Sequence, residues 1–178
     1  MTGSSMTTRW LAYLWVLAVL VAPAEAAERA GDAGAAPIVL DGKLDEPAWL
    51  RAPEQSGFVS PSARVQPDAP PPVQTRFRVL ASDDAVYLGI RCYEPRMDAL
   101  YAHPTPGHDS MEVFYRDVVE VFLDPAGRGS EYYQFAVSAG NDRFERYWIE
   151  RGNTGGGPYD PRWESAVHRD DAGWTIEA

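Results

Sequence analysis

The 178-residue sequence contains a single cysteine, Cys92, which excludes an intrachain disulfide and a cysteine-rich metal cluster. Cationic residues are also scarce: 16 lysines and arginines stand against 26 aspartates and glutamates, so the net charge is −10. Such a chain is not expected to bind nucleic acid through its phosphates. The G-x-S-x-G, H-E-x-x-H and G-x-x-x-x-G-K motifs are absent, and His103, His108 and His168 follow no standard metal-binding spacing. The sequence therefore predicts no catalytic residue and no metal ligand.

Long apolar runs are missing too. The longest, residues 10–22, has 13 residues, which is fewer than the ~20 needed to cross a bilayer. Arg9 precedes this run, and Pro23 and the A-x-A pattern at residues 24–26 follow it. This pattern predicts a signal peptide over residues 1–26, with an uncleaved anchor as the alternative. We expect export to the periplasm or the exterior of a bacterium, with no stable membrane span after cleavage.

Helical periodicity is nearly absent after the signal peptide, whereas alternation of apolar and polar residues recurs between turn residues. Strands are predicted at residues 75–81, 85–93, 117–123, 132–138, 143–150, 163–169 and 174–178. This spacing indicates an all-β fold, an antiparallel β-sandwich or a related barrel. One helical turn is predicted at residues 45–50, with Asp45 as its cap. Residues 96–116 are predicted to form a long loop.

The domain organisation follows from these signals. Residues 27–36 are small and polar and are expected to be a disordered leader, and residues 37–178 are expected to form the sandwich. The last predicted strand reaches the final residue with no turn after it. We therefore expect a fragment of a longer protein, whose sandwich is incomplete at its C-terminus.

A polar strip is predicted on one face of two adjacent strands. Val119, Val121 and Leu123 alternate onto a core face, which leaves Glu120 on the other face, and Gln134 occupies a similar place on the next strand. Carboxylates and amides hydrogen-bond sugar hydroxyls, and aromatic rings pack on the apolar faces of pyranoses. Aromatic residues lie near the strip in sequence: Phe114, Tyr115, Tyr132, Trp148 and Trp163. The alternative interpretation is that the polar pair simply faces solvent and the rings belong to the core.

A glycosidase needs two carboxylates that face one substrate. The nearest pair in the sequence is Asp117 and Glu120. Because they lie three residues apart on a predicted strand, their side chains point to opposite faces. This geometry argues against a paired acid and base on this strand.

Six segments together resemble family 9 carbohydrate-binding modules, in the family's order. They are IVLDGKLDEPAW at residues 38–49, RFRVL at 76–80, VYLGI at 86–90, DVVEVFLD at 117–124, YQFAV at 133–137 and GWTIEA at 173–178. The resemblance implies a DOMON-like β-sandwich, of the immunoglobulin-like jelly-roll type. It also implies binding of a polysaccharide or oligosaccharide, with attachment to a xylanase or an envelope protein.

The resemblance further implies a ligand site. In the family, two aromatic rings clamp a terminal sugar, while a glutamate, a glutamine and an arginine bind its hydroxyls. The glutamate falls on Glu120, the glutamine on Gln134 and the first ring on Phe114. The arginine position is Ala136, and the second ring would follow residue 178. The family also carries structural calcium, whose ligands are not assigned in this sequence, and no other cofactor is implied.

The leading hypothesis is an exported, non-catalytic carbohydrate-binding module attached to a longer carbohydrate-active or envelope protein. Two alternatives remain open at this point. One is an enzyme domain that acts on O-glycosyl bonds, and the other is the structural N-terminal domain of an outer-membrane protein.

Overall fold

The computed structural model describes residues 31–32, 38–58, 73–83, 85–103, 109–155 and 159–178. The predicted signal peptide lies outside these residues, as does most of the predicted leader. The strands are β1 Gly31–Asp32, β2 Thr75–Ala81, β3 Val86–Tyr93, β4 Val118–Leu123, β5 Tyr132–Ser138, β6 Arg143–Ile149, β7 Thr154–Gly155, β8 Ala166–Asp170 and β9 Gly173–Glu177. The α-helix α1 spans Pro47–Arg51, and short 3₁₀ helices span Met97–Ala99, Met111–Tyr115 and Glu150–Gly152.

The strands form two sheets. One has the order β1-β2-β3-β9-β8 and the other the order β4-β5-β6-β7. All pairings are antiparallel except that of β1 with β2. The all-β sandwich predicted from the alternating pattern is therefore confirmed. The segment predicted as one loop at residues 96–116 contains two of the 3₁₀ helices.

The main core lies between the two sheets. The first sheet contributes Ile90, Cys92, Trp174 and Ile176, and the second contributes Val119, Val121, Val137 and the adjacent Ala139. The predicted apolar face of residues 117–123 is confirmed, because Val119 and Val121 are buried in this core and Leu123 packs against it. Burial raises the pKa of Cys92 to about 12, so this thiol behaves as a small apolar side chain.

Helix α1 covers the outer face of the first sheet. Its Trp49 is fully buried with Leu80, and it packs over Gly89, where a Cβ atom would lie only 3.0 Å from the indole ring. The predicted cap was wrong: Glu46, not Asp45, is the N-cap residue. The Glu46 carboxylate makes no cap hydrogen bond and instead accepts one from the Val39 amide.

A buried carboxylate ties α1 and the preceding turn to the sheet. Glu177 on β9 is fully buried and accepts three hydrogen bonds, from Trp49 Nε1 at 2.8 Å and from the amides of Asp41 at 3.0 Å and Gly42 at 2.8 Å. Burial raises the pKa of Glu177 above its usual value, although the three donors act in the opposite direction. The turn at residues 40–42 and helix α1 thus share one hydrogen-bond acceptor, the Glu177 carboxylate.

The ion pair between Arg91 and Asp170 is expected to contribute a small, pH-dependent stability. The guanidinium donates to both carboxylate oxygens at 2.7 and 2.8 Å and lowers the pKa of Asp170 to about 2. Because the folded pKa lies below the ordinary value of 3.8, the contribution is present above pH 4 and disappears as the pH falls towards 2. Urea unfolding of D170N should show a loss of about 0.5 kcal/mol at pH 7, since the Asp170 carboxylate is exposed. An equal loss at pH 2 would contradict this.

Candidate functional site

The outer face of β4, β5 and β6 carries a polar strip between apolar residues. The even-numbered residues of these strands point away from the core between the sheets. In the register, Gln134 lies opposite Phe122 on one side and Arg146 on the other, while Glu120 lies opposite Ala136. The predicted neighbours Glu120 and Gln134 therefore lie on the same face of adjacent strands.

Direct hydrogen bonds connect the strip. Gln134 Nε2 donates to Glu120 Oε2 at 2.6 Å, and Trp148 Nε1 donates to Gln134 Oε1 at 2.6 Å. Gln134 is 7% exposed, whereas Glu120 is half-buried. The amide thus lies beneath the carboxylate, and one Glu120 oxygen and one Gln134 N–H have no partner within this relay.

The electrostatics of the strip combine one carboxylate with one guanidinium. Burial raises the pKa of Glu120 above its usual value, and the hydrogen bond from Gln134 lowers it in part. Arg146 is exposed, and its Cζ atom lies 5.1 Å from the centre of the Trp148 ring and 5.8 Å from that of Phe144. The face therefore offers a hydrogen-bond acceptor on β4 and a cationic donor two strands away on β6.

Aromatic rings border the polar strip at both ends. At one end Phe114, from the 3₁₀ helix Met111–Tyr115, packs edge-to-face on Phe144 with centroids 4.9 Å apart. At the other end Tyr132 lies between Phe122, at 5.6 Å, and Trp148, at 6.5 Å. Phe114 and Trp148 are both half-buried, so each ring keeps part of its surface open.

Two of the aromatic residues expected near the strip lie elsewhere. Trp163 packs against Phe135 on the inner face of the sheet, and its indole nitrogen donates to Glu145 at 2.9 Å. Trp163 thus packs against the main core, as the alternative interpretation of these rings expects. Tyr115 is 71% exposed and belongs to no core cluster of the described residues.

Arg146 was not among the site residues predicted from the sequence. The family's arginine position, Ala136, is fully buried among Val113, Val118 and Phe144, so the structure leaves no open space for a long side chain there. Arg146 instead brings a guanidinium to the same face from the neighbouring strand. The β5–β6 hairpin could have revealed it, because the short turn sets the register and places Arg146 opposite Gln134.

Among the described residues, the strands place one carboxylate on this face, that of Glu120. Glu120 points outward, whereas the next glutamate in the sheet, Glu145, is buried on the inner side near Trp163. The described part of the chain also has no group of three or more histidine, cysteine, aspartate or glutamate side chains that could hold a metal ion. Calcium also binds backbone carbonyl oxygens, so this result assigns no ligand to the calcium that the resemblance implies. Among the described residues there is also no helix long and apolar enough to cross a membrane.

Comparison with known proteins agrees with this fold. The family "Carbohydrate family 9 binding domain-like" matches residues 40–178, which is most of the chain. The protein therefore belongs to this family. No curated protein matches the sequence.

A solved structure has the same fold. It is a family 9 carbohydrate-binding module from Caldicellulosiruptor kristjanssonii in complex with cellotriose, with a TM-score of 0.54 and 16% sequence identity. The match covers 80% of this chain and 62% of that one, so the present chain spans less than two thirds of its structural relative.

Proposed function

We propose that the outer face of β4–β6 binds a neutral oligosaccharide or polysaccharide through Glu120, Gln134 and Arg146. The observation that carries the proposal is the hydrogen-bonded pair of Glu120 and Gln134 beside an exposed guanidinium. A carboxylate accepts hydrogen bonds from hydroxyls, and a guanidinium donates them. Hydroxyls of a glycan that lies across the three strands can use both groups.

Phe114 and Trp148 supply the apolar part of the proposed site. A pyranose has two faces of C–H groups, which pack on aromatic rings, and the rings at the ends of the strip keep part of their surface open. The structural relative was solved with cellotriose, which makes β-linked glucose oligomers the first ligands to test. Xylo-oligosaccharides present the same equatorial hydroxyls and come second.

Export and attachment to a larger carbohydrate-active or envelope protein complete the proposal. The A-x-A pattern at residues 24–26 after a short apolar run supports export. A module that does not cleave its ligand can keep an attached enzyme close to a glycan. The opposite faces of Glu120 and Glu145 argue against an enzyme that uses these two carboxylates.

Calorimetric titration of the full chain with cello- and xylo-oligosaccharides tests the proposal. We expect saturable heat with at least one series, and about thirtyfold weaker binding by E120Q. The neutral variant keeps the shape but loses a hydrogen bond to a charged group, which contributes about 2 kcal/mol.

The matched control is E131Q. Glu131 accepts a hydrogen bond from the hydroxyl of Tyr147, so the control also neutralises a hydrogen-bonded glutamate, but an exposed one off the proposed site. Its affinity should equal that of the wild type. Absence of heat with every glycan, or equal effects of E120Q and E131Q, would disprove the proposed site.

A further inference from the structure

The amide of Gln134 lies between a group that can only donate and a group that can only accept. An indole N–H has no acceptor, and an ionised carboxylate has no donor. The partner of Trp148 must therefore be the amide oxygen, and the partner of Glu120 must be the amide nitrogen, as observed at 2.6 Å in both cases. The chemistry of the two neighbours fixes the orientation of the amide.

We propose that Trp148 is a positioning residue that, through Gln134, holds the Glu120 carboxylate ready to accept hydrogen bonds from sugar hydroxyls. This inference rests on the proposed function. Gln134 is nearly buried, so its reversed orientation would set an amide oxygen against a carboxylate with little water to separate them. The indole N–H prevents this reversal before any ligand arrives.

The same relay determines which hydrogen bonds remain for a ligand. The Gln134 oxygen is occupied by the indole, and one of its N–H groups is occupied by Glu120. The face then presents Glu120 as its acceptor and Arg146 as its charged donor. A diol, whose hydroxyls both donate and accept, fits this set, whereas a carboxylate-bearing sugar would place its anion beside Glu120.

The test is the variant W148F, which keeps an aromatic ring but removes the indole N–H. We expect about tenfold weaker glycan binding. NMR should show a higher pKa for Glu120, because a weakened hydrogen bond to the ionised form favours protonation. Arg146 is the other charged group that the strands place on this face, and the adjacent 3₁₀ helix adds Glu112, which lies 3.7 Å from Arg116.

The control is Y147F on the same strand. It also removes one side-chain hydrogen bond to a glutamate, that of Tyr147 to Glu131, but on the other face. Its affinity and the pKa of Glu120 should be unchanged. In a double-mutant cycle of W148F with Q134M, the two effects should be strongly non-additive, because both variants break one relay.

Three results would overturn the inference. They are an unchanged pKa of Glu120 in W148F, additive effects in the cycle, and a wild-type Trp148 indole proton that exchanges as fast as a solvated one. The last measurement needs no variant. A wild type that binds no glycan would reject the proposed function, whereas the titration of Glu120 would still decide whether the relay exists.

Discussion

The variant E177A is expected to lose about 4 kcal/mol of unfolding free energy, which is the largest stability effect that we expect of any single substitution. Three donors share this carboxylate: the buried indole of Trp49, the buried amide of Gly42 and the partly buried amide of Asp41. Alanine would leave all three without an acceptor and would open a cavity beside Trp49. Small domains are stable by only about 5–15 kcal/mol, so such a loss is a large fraction of the total.

Urea unfolding followed by circular dichroism measures this effect. E177Q should be intermediate, at about 2 kcal/mol, because its oxygen still accepts whereas its NH₂ group must face one of the donors. The matched control is E131A, which removes an exposed glutamate with a single hydrogen-bond partner, Tyr147, and should cost less than about 1 kcal/mol. A loss below 1 kcal/mol for E177A would mean that the turn and helix α1 do not depend on this acceptor.

Local alternation was sufficient to predict the polar pair. The pattern V-V-E-V-F-L leaves little freedom, because Val119 and Val121 enter the core between the sheets and Glu120 must then face away. The short turn between β5 and β6 fixes the register of that hairpin in the same way. The position of Gln134 beside Glu120 and the general fold class thus follow from periodicity and turns.

Proximity in sequence was a poor guide to the rings around the site. Trp163 lies between β7 and β8, where the chain passes from one sheet to the other, and alternation within a strand says nothing about such a segment. Phe114 also lies outside a strand, and only the packing of its 3₁₀ helix on Phe144 places it at the strip. The Asp45 cap predicted for α1 was also wrong. Glu46 is the N-cap residue, and its carboxylate bonds to the Val39 amide instead of the helix.

In the proposed site, Arg146 takes the role that the family's arginine has at the Ala136 position. The guanidinium would then reach this face from β6 instead of β5. At Ala136 the space is filled by Phe144 and Val118, whereas Arg146 stands at an exposed position opposite Gln134. A motif defined along one strand cannot detect this exchange, but the pairing of the hairpin can.

Reversal of the charge at this position is expected to have the largest effect on binding. R146E removes the charged donor and places a second carboxylate on the face that carries Glu120, which also raises the pKa of Glu120 further. We expect glycan affinity to fall about hundredfold, equivalent to about 2.8 kcal/mol. The R146M variant keeps the apolar stem that packs by Trp148 and should lose about tenfold.

The control for this charge reversal is R169E, which changes the net charge equally at an exposed position of the other sheet. Calorimetry should find wild-type affinity for R169E, and urea unfolding should find near wild-type stability for both variants, since Arg146 is exposed. If R146E bound glycan as well as R169E does, the guanidinium would have no part in recognition. The buried Ala136 would then mark a real loss of the family's third polar group, and binding would rest on Glu120, Gln134 and the rings alone.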